Sequence, residues 1–189
     1  MTESNEALVL RATAFAAEVH THQRRKGAAQ EPYVNHVIEV AAALAAAGAP
    51  VPAILAGLLH DTIEDGDTVG RPVTERELAE RFGAEVAAIV VEVTDDKTLP
   101  KAERKRRQVE TATKKSEAAR MVKLADKAAN LRAITVSPPP SWDLARKRDY
   151  LDWADAVAAG CRGVNPSLEE AFDTALALAR TALEDQTLD

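Results

Sequence analysis

Apolar residues recur at helical spacing along nearly the whole chain, and this periodicity limits the fold more than any other feature. Within residues 6–21, for example, the apolar positions fall three or four residues apart, at Leu8, Ala12, Phe15 and Val19. Alanine, the strongest helix former, is abundant, whereas aromatic residues make up only 4% of the chain. No run of alternating apolar residues is flanked by hairpin turns. The sequence therefore predicts an all-α fold, a single helical bundle of about 8–10 helices.

The bounds of the predicted helices follow from capping and breaking residues. The helices after the first cover roughly residues 34–47, 52–65, 74–83, 84–93, 101–115, 117–132, 142–159 and 167–183. Thr74 and Glu77 form a capping box ahead of one short helix. Asn165-Pro166 is a start signal for the last helix.

Composition places the chain among soluble globular proteins. Its 189 residues are 46% apolar and 29% charged, and the net charge of −6 argues against nucleic-acid binding by the whole surface. The single cysteine, Cys161, cannot form an internal disulfide, and we find neither a signal-like segment nor a membrane-spanning apolar run. We therefore expect a cytoplasmic protein without nucleic-acid or membrane partners. We also expect one domain over residues 1–189 with its core at about 6–183, because the loop at residues 137–141 is too short to separate domains.

The stretch AGLLHDTIEDGD places a histidine and three carboxylates directly after apolar residues. If residues 52–65 form one helix, positions four apart share a face. His60 then lies over Glu64, and the next residue, Asp61, lies over Asp65. A frayed helix end in solvent would explain this composition equally well. If the stretch is buried, its charges must be paired or bound to a metal.

Two distant residues give this stretch more weight. His36 in PYVNHVIEV and Asp126 in MVKLADKAANL each lie among apolar residues of a predicted helix. Together with His60 and Asp61 they form the pattern H…HD…D, two imidazoles and two carboxylates from three helices. This mixed nitrogen and oxygen set suits a divalent ion that keeps positions open for water and substrate. A closed structural zinc site would more often use cysteines, so the pattern is typical of a catalytic metal site.

These motifs resemble those of the HD-domain metal-dependent phosphohydrolases, and in particular the hydrolase domain of Rel/SpoT-type alarmone enzymes. The segments that carry the resemblance occur in order as HTHQRRKG, PYVNH, LLHDTIED, FGAEV, VTDDKTLPKAERKRRQVE, VKLADKAANLR and YLDWADAV. The bare HD pattern is moderately specific, whereas RRKG before PYVNH, followed by HDTIED and VTDDKTLPK, is a strong signal. The resemblance is greatest to the small stand-alone members of the family, such as the metazoan SpoT homologue.

The resemblance implies a small alarmone hydrolase of stringent-response signalling. By similarity, one Mn²⁺ or another divalent ion is held by His36, His60, Asp61 and Asp126. Glu64 and Asp65 would orient and deprotonate the attacking water. The implied reaction is hydrolysis of the 3′-diphosphate of (p)ppGpp, which releases pyrophosphate and leaves GDP or GTP.

Substrate contacts are implied by position in the same motifs. Arg25 is expected to lie against the purine, because a planar guanidinium stacks well on aromatic faces. Lys26 is expected to meet polar or phosphate groups, and Lys97 to face a phosphate. The other expected contacts are Tyr33, Lys123, Asn130, Arg146 and Tyr150. His20 is interpreted as structural support, and the rest of the basic segment, residues 98–115, as a solvated helix face.

Two sites depart from the family pattern. Gly66 stands where close relatives often carry threonine, and we expect it to let the helix end tightly. Ala128 and Ala129 replace bulkier residues, which we expect to loosen the packing near Asn130 and to reshape the base pocket.

Three functions remain open from the sequence. The leading hypothesis is hydrolysis of (p)ppGpp. In the second hypothesis the same metal site hydrolyses another substrate, either the 2′-phosphate of NADPH or (p)ppApp. In the third hypothesis the protein is a non-catalytic nucleotide-binding sensor. The pair Glu64 and Asp65 favours a catalyst, since a binding protein does not need to activate water. The sequence leaves the oligomeric state open.

Overall fold

The computed structural model describes residues 3–66, 70 and 72–185, which form helices joined by loops. In chain order the helices are α1 (Asn5–Val19), α2 (Val34–Ala46), α3 (Val51–Leu59), α4 (Thr62–Asp65), α5 (Glu75–Phe82), α6 (Ala84–Val93), α7 (Lys101–Thr111), α8 (Glu117–Val136), α9 (Leu144–Ala159) and α10 (Pro166–Asp185), with a 3₁₀ turn at Ala112–Lys114. No strand forms within the described residues, and the all-α prediction is confirmed. None of the helices in this part of the chain is long and apolar enough to cross a membrane.

Helix α8 lies at the centre of the fold, in contact with α2, α3, α6, α9 and α10. Its small residues Ala128 and Ala129 are fully buried in the hydrophobic core, where they let neighbouring helices approach closely. The same helix buries three charged side chains, Lys123, Asp126 and Lys127, each at most 7% exposed. Because buried charges need partners, the centre of the bundle must hold a polar cluster.

The continuous helix predicted at residues 52–65 is wrong, because the chain breaks it into α3 and α4 at His60 and Asp61. The backbone of Asp61 (φ −101°, ψ 0°) departs there from regular helical values. The buried hydroxyl of Thr62 donates to the Leu59 carbonyl (2.7 Å), a side-chain bond that competes with the helical ladder. As a result His60 is buried in the bundle, whereas α4 directs its carboxylates to a cavity.

Two predicted helix starts are confirmed by their capping bonds. The Thr74 hydroxyl accepts a hydrogen bond from the Glu77 amide (3.2 Å), as a capping residue should. The Asn165 side chain likewise accepts one from the Leu168 amide (3.1 Å) at the start of α10. Helix α8 continues past its predicted end to Val136.

Gly66 follows α4 at a close approach between two backbone segments. Its φ and ψ (−59°, −20°) are helical, so the conformational freedom of glycine is not what this position uses. A Cβ atom on Gly66 would instead lie 2.7 Å from the amide nitrogen of Val73. Glycine is therefore required by space, and a threonine here would have to displace Val73.

Candidate active site

Three elements bring two histidines and an aspartate together inside the bundle. His36 lies in the first turn of α2, His60 directly after α3, and Asp126 in the middle of α8. Their ligand atoms all lie within 4.8 Å of one another, and all three side chains are buried. Nε2 of His36 is 3.2 Å and Nε2 of His60 is 3.8 Å from the same oxygen, Asp126 Oδ1. The cluster contains three of the four residues that the sequence predicts as metal ligands.

Asp61, the fourth predicted ligand, lies beside this cluster. Its Oδ2 is 3.1 Å from Nε2 of His60 and accepts a hydrogen bond from the Tyr33 hydroxyl. Burial disfavours the charged imidazolium, but the carboxylates of Asp61 and Asp126 outweigh burial and raise the pKa of His60 to about 9. The pKa of Asp61 is lowered, because the attraction of His60 exceeds the cost of burial. The four side chains therefore share one small, charged and desolvated volume.

The orientation of the two imidazoles fits a bound metal ion. Nδ1 of His60 contacts the Gly57 carbonyl oxygen (2.9 Å), which leaves Nε2 facing Asp61 and Asp126. Among the described residues, the Nε2 atoms of His36 and His60 have no partner in hydrogen-bonding geometry, and both are buried. Buried polar atoms rarely lack partners, so these nitrogens indicate a group that the side chains do not themselves supply. Two nitrogen and two oxygen donors suit a divalent transition-metal ion.

Asp126 is held on both of its carboxylate oxygens. The Asn130 amide donates to Oδ1 (2.6 Å), and the Lys127 ammonium donates to Oδ2 (2.9 Å). Lys127 is itself buried, and its Nζ lies 4.4 Å from the centre of the Trp153 ring. Burial opposes its charge, but Asp126 outweighs burial and raises the pKa of Lys127. The sequence-based prediction missed Lys127, although a lysine beside a buried aspartate in an apolar segment is the signal that could have found it.

A cavity of about 700 Å³ opens beside the cluster, within the size range of small-molecule binding sites. Its acidic lining consists of Asp61, Glu64, Asp65, Asp95 and Asp149. Its basic lining consists of Arg24, Arg25, Lys26, Lys97, Lys101, Arg104, Lys105 and Arg146. Both tryptophans and both tyrosines of the chain also line it, as Tyr33, Trp142, Tyr150 and Trp153. Such a mixture suits a ligand that carries several phosphates and a flat ring.

The acidic pair on α4 has two different environments. Asp65 receives a hydrogen bond on each oxygen, from the Lys97 ammonium (2.6 Å) and from the Gln23 amide (2.8 Å). Glu64 accepts a longer bond from the Asp95 amide (3.4 Å). Burial, followed by the charges of Asp61 and Asp95, raises the pKa of Glu64. The shift brings the proton affinity of Glu64 nearer to neutral pH, as a general base requires.

The basic wall of the cavity is built from the loop after α1, from α7 and from α9. Burial, followed by the charges of Arg146, Lys26 and Arg104, lowers the pKa of Lys101. Burial and the charge of Lys101 likewise lower the pKa of Lys105. These cations lie close enough to repel one another, so an anion between them would be favoured. The expectation that residues 98–115 form only a solvated face is wrong for the three basic residues of α7 in this wall.

The aromatic wall is a continuous row of rings. The ring centres of Trp142 and Tyr150 are 5.4 Å apart, and those of Tyr150 and Trp153 are 5.3 Å apart. The Arg146 guanidinium lies 4.7 Å from the Trp142 ring centre. The sequence-based prediction named neither tryptophan. Aromatic residues make up only 4% of the chain, so each tryptophan and tyrosine could have been considered as a candidate site residue. All four of them line this one cavity.

Most predicted substrate-contacting residues line this cavity, namely Arg25, Lys26, Tyr33, Lys97, Asn130, Arg146 and Tyr150. Lys123 does not, because its buried ammonium donates to the Val93 carbonyl (2.8 Å) instead. A direct substrate contact is therefore not available to Lys123, although its charge lies near those of Asp126, Asp95 and Asp61.

The remaining predicted features of the site are structural. Nδ1 of His20 lies 2.7 Å from the Gln23 side-chain oxygen, which agrees with its interpretation as support. Ala128 and Ala129 are at most 1% exposed in the core and are not among the residues that line the cavity. Their expected effect on the packing near Asn130 and on the base pocket stays a prediction.

Comparisons with known proteins agree with this geometry. A family model described as HD domain matches residues 12–151. The chain is 48% identical over 172 residues to the guanosine-3′,5′-bis(diphosphate) 3′-pyrophosphohydrolase MESH1 of Danio rerio, a match that covers 90% of this chain and 93% of that protein. It is 48% identical over 171 residues to MESH1 of Homo sapiens, covering 89% and 93%. A guanosine-3′,5′-bis(diphosphate) 3′-pyrophosphohydrolase of Aquifex aeolicus is 39% identical over 134 residues, a match that covers 68% of this chain but only 18% of that protein.

Solved structures give the same result. The chain superposes on a metazoan ortholog of SpoT that hydrolyzes ppGpp with a TM-score of 0.84, at 39% identity, over 94% of this chain and 97% of that one. It superposes on lmo0812 from Listeria monocytogenes with a TM-score of 0.64, at 28% identity, over 79% of this chain and 99% of that one. With its buried His–Asp cluster and its match over most of the chain length, this protein belongs to the HD-domain family and is similar to the MESH1 pyrophosphohydrolases within it.

Proposed function

We propose that this chain hydrolyses the 3′-diphosphate of (p)ppGpp, releasing pyrophosphate and leaving GDP or GTP. The observation that carries this proposal is the position of Glu64 and Asp65, which line the cavity beside the His–Asp cluster. Relatives at 48% identity over most of the chain are guanosine-3′,5′-bis(diphosphate) 3′-pyrophosphohydrolases, which supports it. The product nucleotides and the substrate both fit a cavity of about 700 Å³ with cationic and aromatic walls.

We assign the metal site to His36, His60, Asp61 and Asp126, and we propose Mn²⁺ as its ion. The unpartnered Nε2 atoms and the two carboxylates supply a borderline to hard donor set, which suits Mn²⁺ and excludes a thiolate site. When bound, the ion would polarise a phosphoryl oxygen and lower the pKa of the attacking water.

Glu64 and Asp65 have different proposed roles in the attack of water. Glu64 accepts a proton from the attacking water, since its raised pKa favours proton uptake. Asp65, hydrogen-bonded on both oxygens, orients that water. The water oxygen forms a bond to the phosphorus that carries the 3′ oxygen, and the bond between that phosphorus and the 3′ oxygen breaks. Pyrophosphate leaves with the water oxygen, and the 3′ oxygen takes up a proton from solvent to become the hydroxyl of the product nucleotide.

The substrate is positioned by the other two walls. Arg25 and the Trp142–Tyr150 row present flat surfaces to the base, whereas Lys26, Lys101 and Arg146 face phosphates. Stacking on such surfaces does not distinguish guanine from adenine. This feature keeps (p)ppApp and the 2′-phosphate of NADPH as second candidate substrates of the same metal site.

Product analysis tests the proposal. Purified protein loaded with Mn²⁺ is incubated separately with ppGpp, ppApp and NADPH, each with a chelator control, and the products are separated by chromatography. We expect GDP and pyrophosphate from ppGpp, and no product with chelator. Release of phosphate from NADPH, with no product from ppGpp or ppApp, would refute ppGpp as the substrate. If metal-loaded protein forms no product from any of the three nucleotides, a non-catalytic nucleotide sensor would be favoured.

We also propose that residues 1–189 act as one domain in the cytoplasm. Cys161 is free and buried, which agrees with a reducing compartment.

A further inference from the structure

We infer that Gln23 is a positioning residue that holds the Asp65 carboxylate in its working orientation through a hydrogen-bonded chain that starts at buried His20. The inference rests on the catalytic role proposed above for Asp65. Gln23 belongs to the loop between α1 and α2 and lines the cavity, and the sequence motifs assign it no role.

The direction of this chain follows from which atoms can donate. An ionised carboxylate only accepts hydrogen bonds, so the group of Gln23 that faces Asp65 Oδ2 at 2.8 Å must be its NH₂. The Gln23 carbonyl then faces Nδ1 of His20 at 2.7 Å, and it can only accept. His20 must therefore carry a proton on Nδ1. Burial lowers the pKa of His20, which agrees with a neutral ring that holds one proton.

The backbone of Gln23 and the His20 ring that contacts its side chain are both held in place by their surroundings. The His20 side chain is 1% exposed, and its ring centre lies 5.0 Å from that of Tyr33. The Gln23 amide donates to the His20 carbonyl (3.1 Å), and the Gln23 carbonyl accepts from the Tyr33 amide (3.0 Å). Gln23 therefore presents its side chain to Asp65 from a rigid base, the condition for orienting a catalytic group.

Lys97, the second hydrogen-bond donor to Asp65, is more exposed and more flexible than Gln23. Lys97 reaches Oδ1 (2.6 Å) with a side chain that is half exposed and has four rotatable carbons. A phosphate in the cavity can compete for this ammonium, because it lies at the cavity wall. Of the two side-chain donors that the described residues give Asp65, Gln23 then remains to hold its orientation. The two donors should consequently affect different kinetic constants, Gln23 the turnover and Lys97 the binding of substrate.

The test compares three methionine variants, since methionine has the length of both side chains but forms no such hydrogen bond. Gln23→Met should lower kcat about 10- to 100-fold with KM within about twofold, because a small misplacement of a catalytic group costs rate rather than binding. Its bound Mn²⁺ should match that of the wild type. Lys97→Met should mainly raise KM. Gln30→Met, in the same loop but exposed, should leave both constants unchanged.

A second readout does not depend on activity. Nitrogen-15 NMR of the histidine rings should show His20 protonated on Nδ1 in the wild-type protein and a loss of that preference in Gln23→Met. If methionine prevents folding, Gln23→Asn replaces it, since the shorter amide cannot span the distance between His20 and Asp65.

The outcomes separate this inference from the proposed function. Wild-type protein that is inactive on all three nucleotides would refute the function, and the NMR result would then decide the hydrogen-bonded chain alone. Active wild type with an unchanged kcat for Gln23→Met, or with a loss carried mainly by KM, would overturn the inference. A ring of His20 protonated on Nε2 would overturn it as well.

Discussion

Asp61 joins the two buried histidines to the cavity, and its replacement gives the most direct test of the metal site. Asp61→Ala removes one proposed ligand, the carboxylate beside Nε2 of His60, and leaves the Tyr33 hydroxyl without its acceptor. We expect loss of bound metal and a fall in kcat of about 1,000-fold or more, with most of the helix signal retained. Metal analysis, circular dichroism and a turnover assay measure the three quantities. Asp152→Ala, at an exposed position of α9, serves as the control, and full activity of Asp61→Ala would refute the assignment.

Glu64 should control the acid side of the pH dependence. Because burial raises its pKa, Glu64 loses its proton at a higher pH than an ordinary glutamate, and kcat should rise with pH as it does so. Glu64→Gln should keep the metal, lower kcat at least about 100-fold and abolish this rise. A pH–rate series on both proteins, with metal analysis, checks the result. Loss of metal from Glu64→Gln would instead identify Glu64 as a ligand.

Two lysines of α8 show where sequence reasoning fails at the level of single residues. Helical spacing puts Lys123, Asp126 and Asn130 on one side of α8, and Asn130 does contact Asp126. The spacing concerns Cβ directions, however, and a lysine ammonium lies several ångströms beyond its Cβ atom. Lys123 therefore bonds to the Val93 carbonyl, while Lys127 reaches back to Asp126 from the next position along the chain.

At the scale of the helices, the apolar periodicity predicted where helices form better than it predicted where a helix is interrupted. Caps at Thr74 and Asn165 are local signals, and both form as predicted. The break between α3 and α4 depends on the bond from the Thr62 hydroxyl to the Leu59 carbonyl, which apolar spacing does not reveal. The approach of helices α2, α3 and α8 around one point was indicated by the histidines and aspartates that each carries, and the resemblance to a family strengthened that expectation.

Helix α7 contributes cations to the cavity. One of its lysines and a lysine in the turn after the helix provide a matched pair of variants. Lys101→Met, at the cavity wall, should raise KM for ppGpp about 3- to 10-fold because it removes attraction for phosphate. Lys114→Met, exposed in the 3₁₀ turn just beyond α7, should leave KM unchanged although it alters net charge equally. The wild-type KM should also rise with salt more steeply than that of Lys101→Met. Equal effects of both variants would indicate a general charge effect instead.

At the scale of the whole molecule, the buried cluster should make stability depend on the metal. A ligand that binds only the folded state stabilises it by about 2.7 kcal/mol at 100 times its Kd, which for a chain of this size corresponds to roughly 5–10 °C in Tm. Chelator should therefore lower the Tm of the wild-type protein by that amount, and added Mn²⁺ should restore it. Asp61→Ala should show no such difference. Thermal unfolding monitored by circular dichroism checks both, and an equal shift in the variant would place the stabilising ion elsewhere.

Because both tryptophans of the chain line one cavity, the ultraviolet emission of the protein comes from that cavity alone. A nucleotide that stacks on Trp142 should quench the emission, so binding can be titrated without a label and without turnover. Emission and circular dichroism also report on different parts of the same chain during heating. If the cavity opens before the bundle unfolds, the emission should change at a lower temperature than the helix signal.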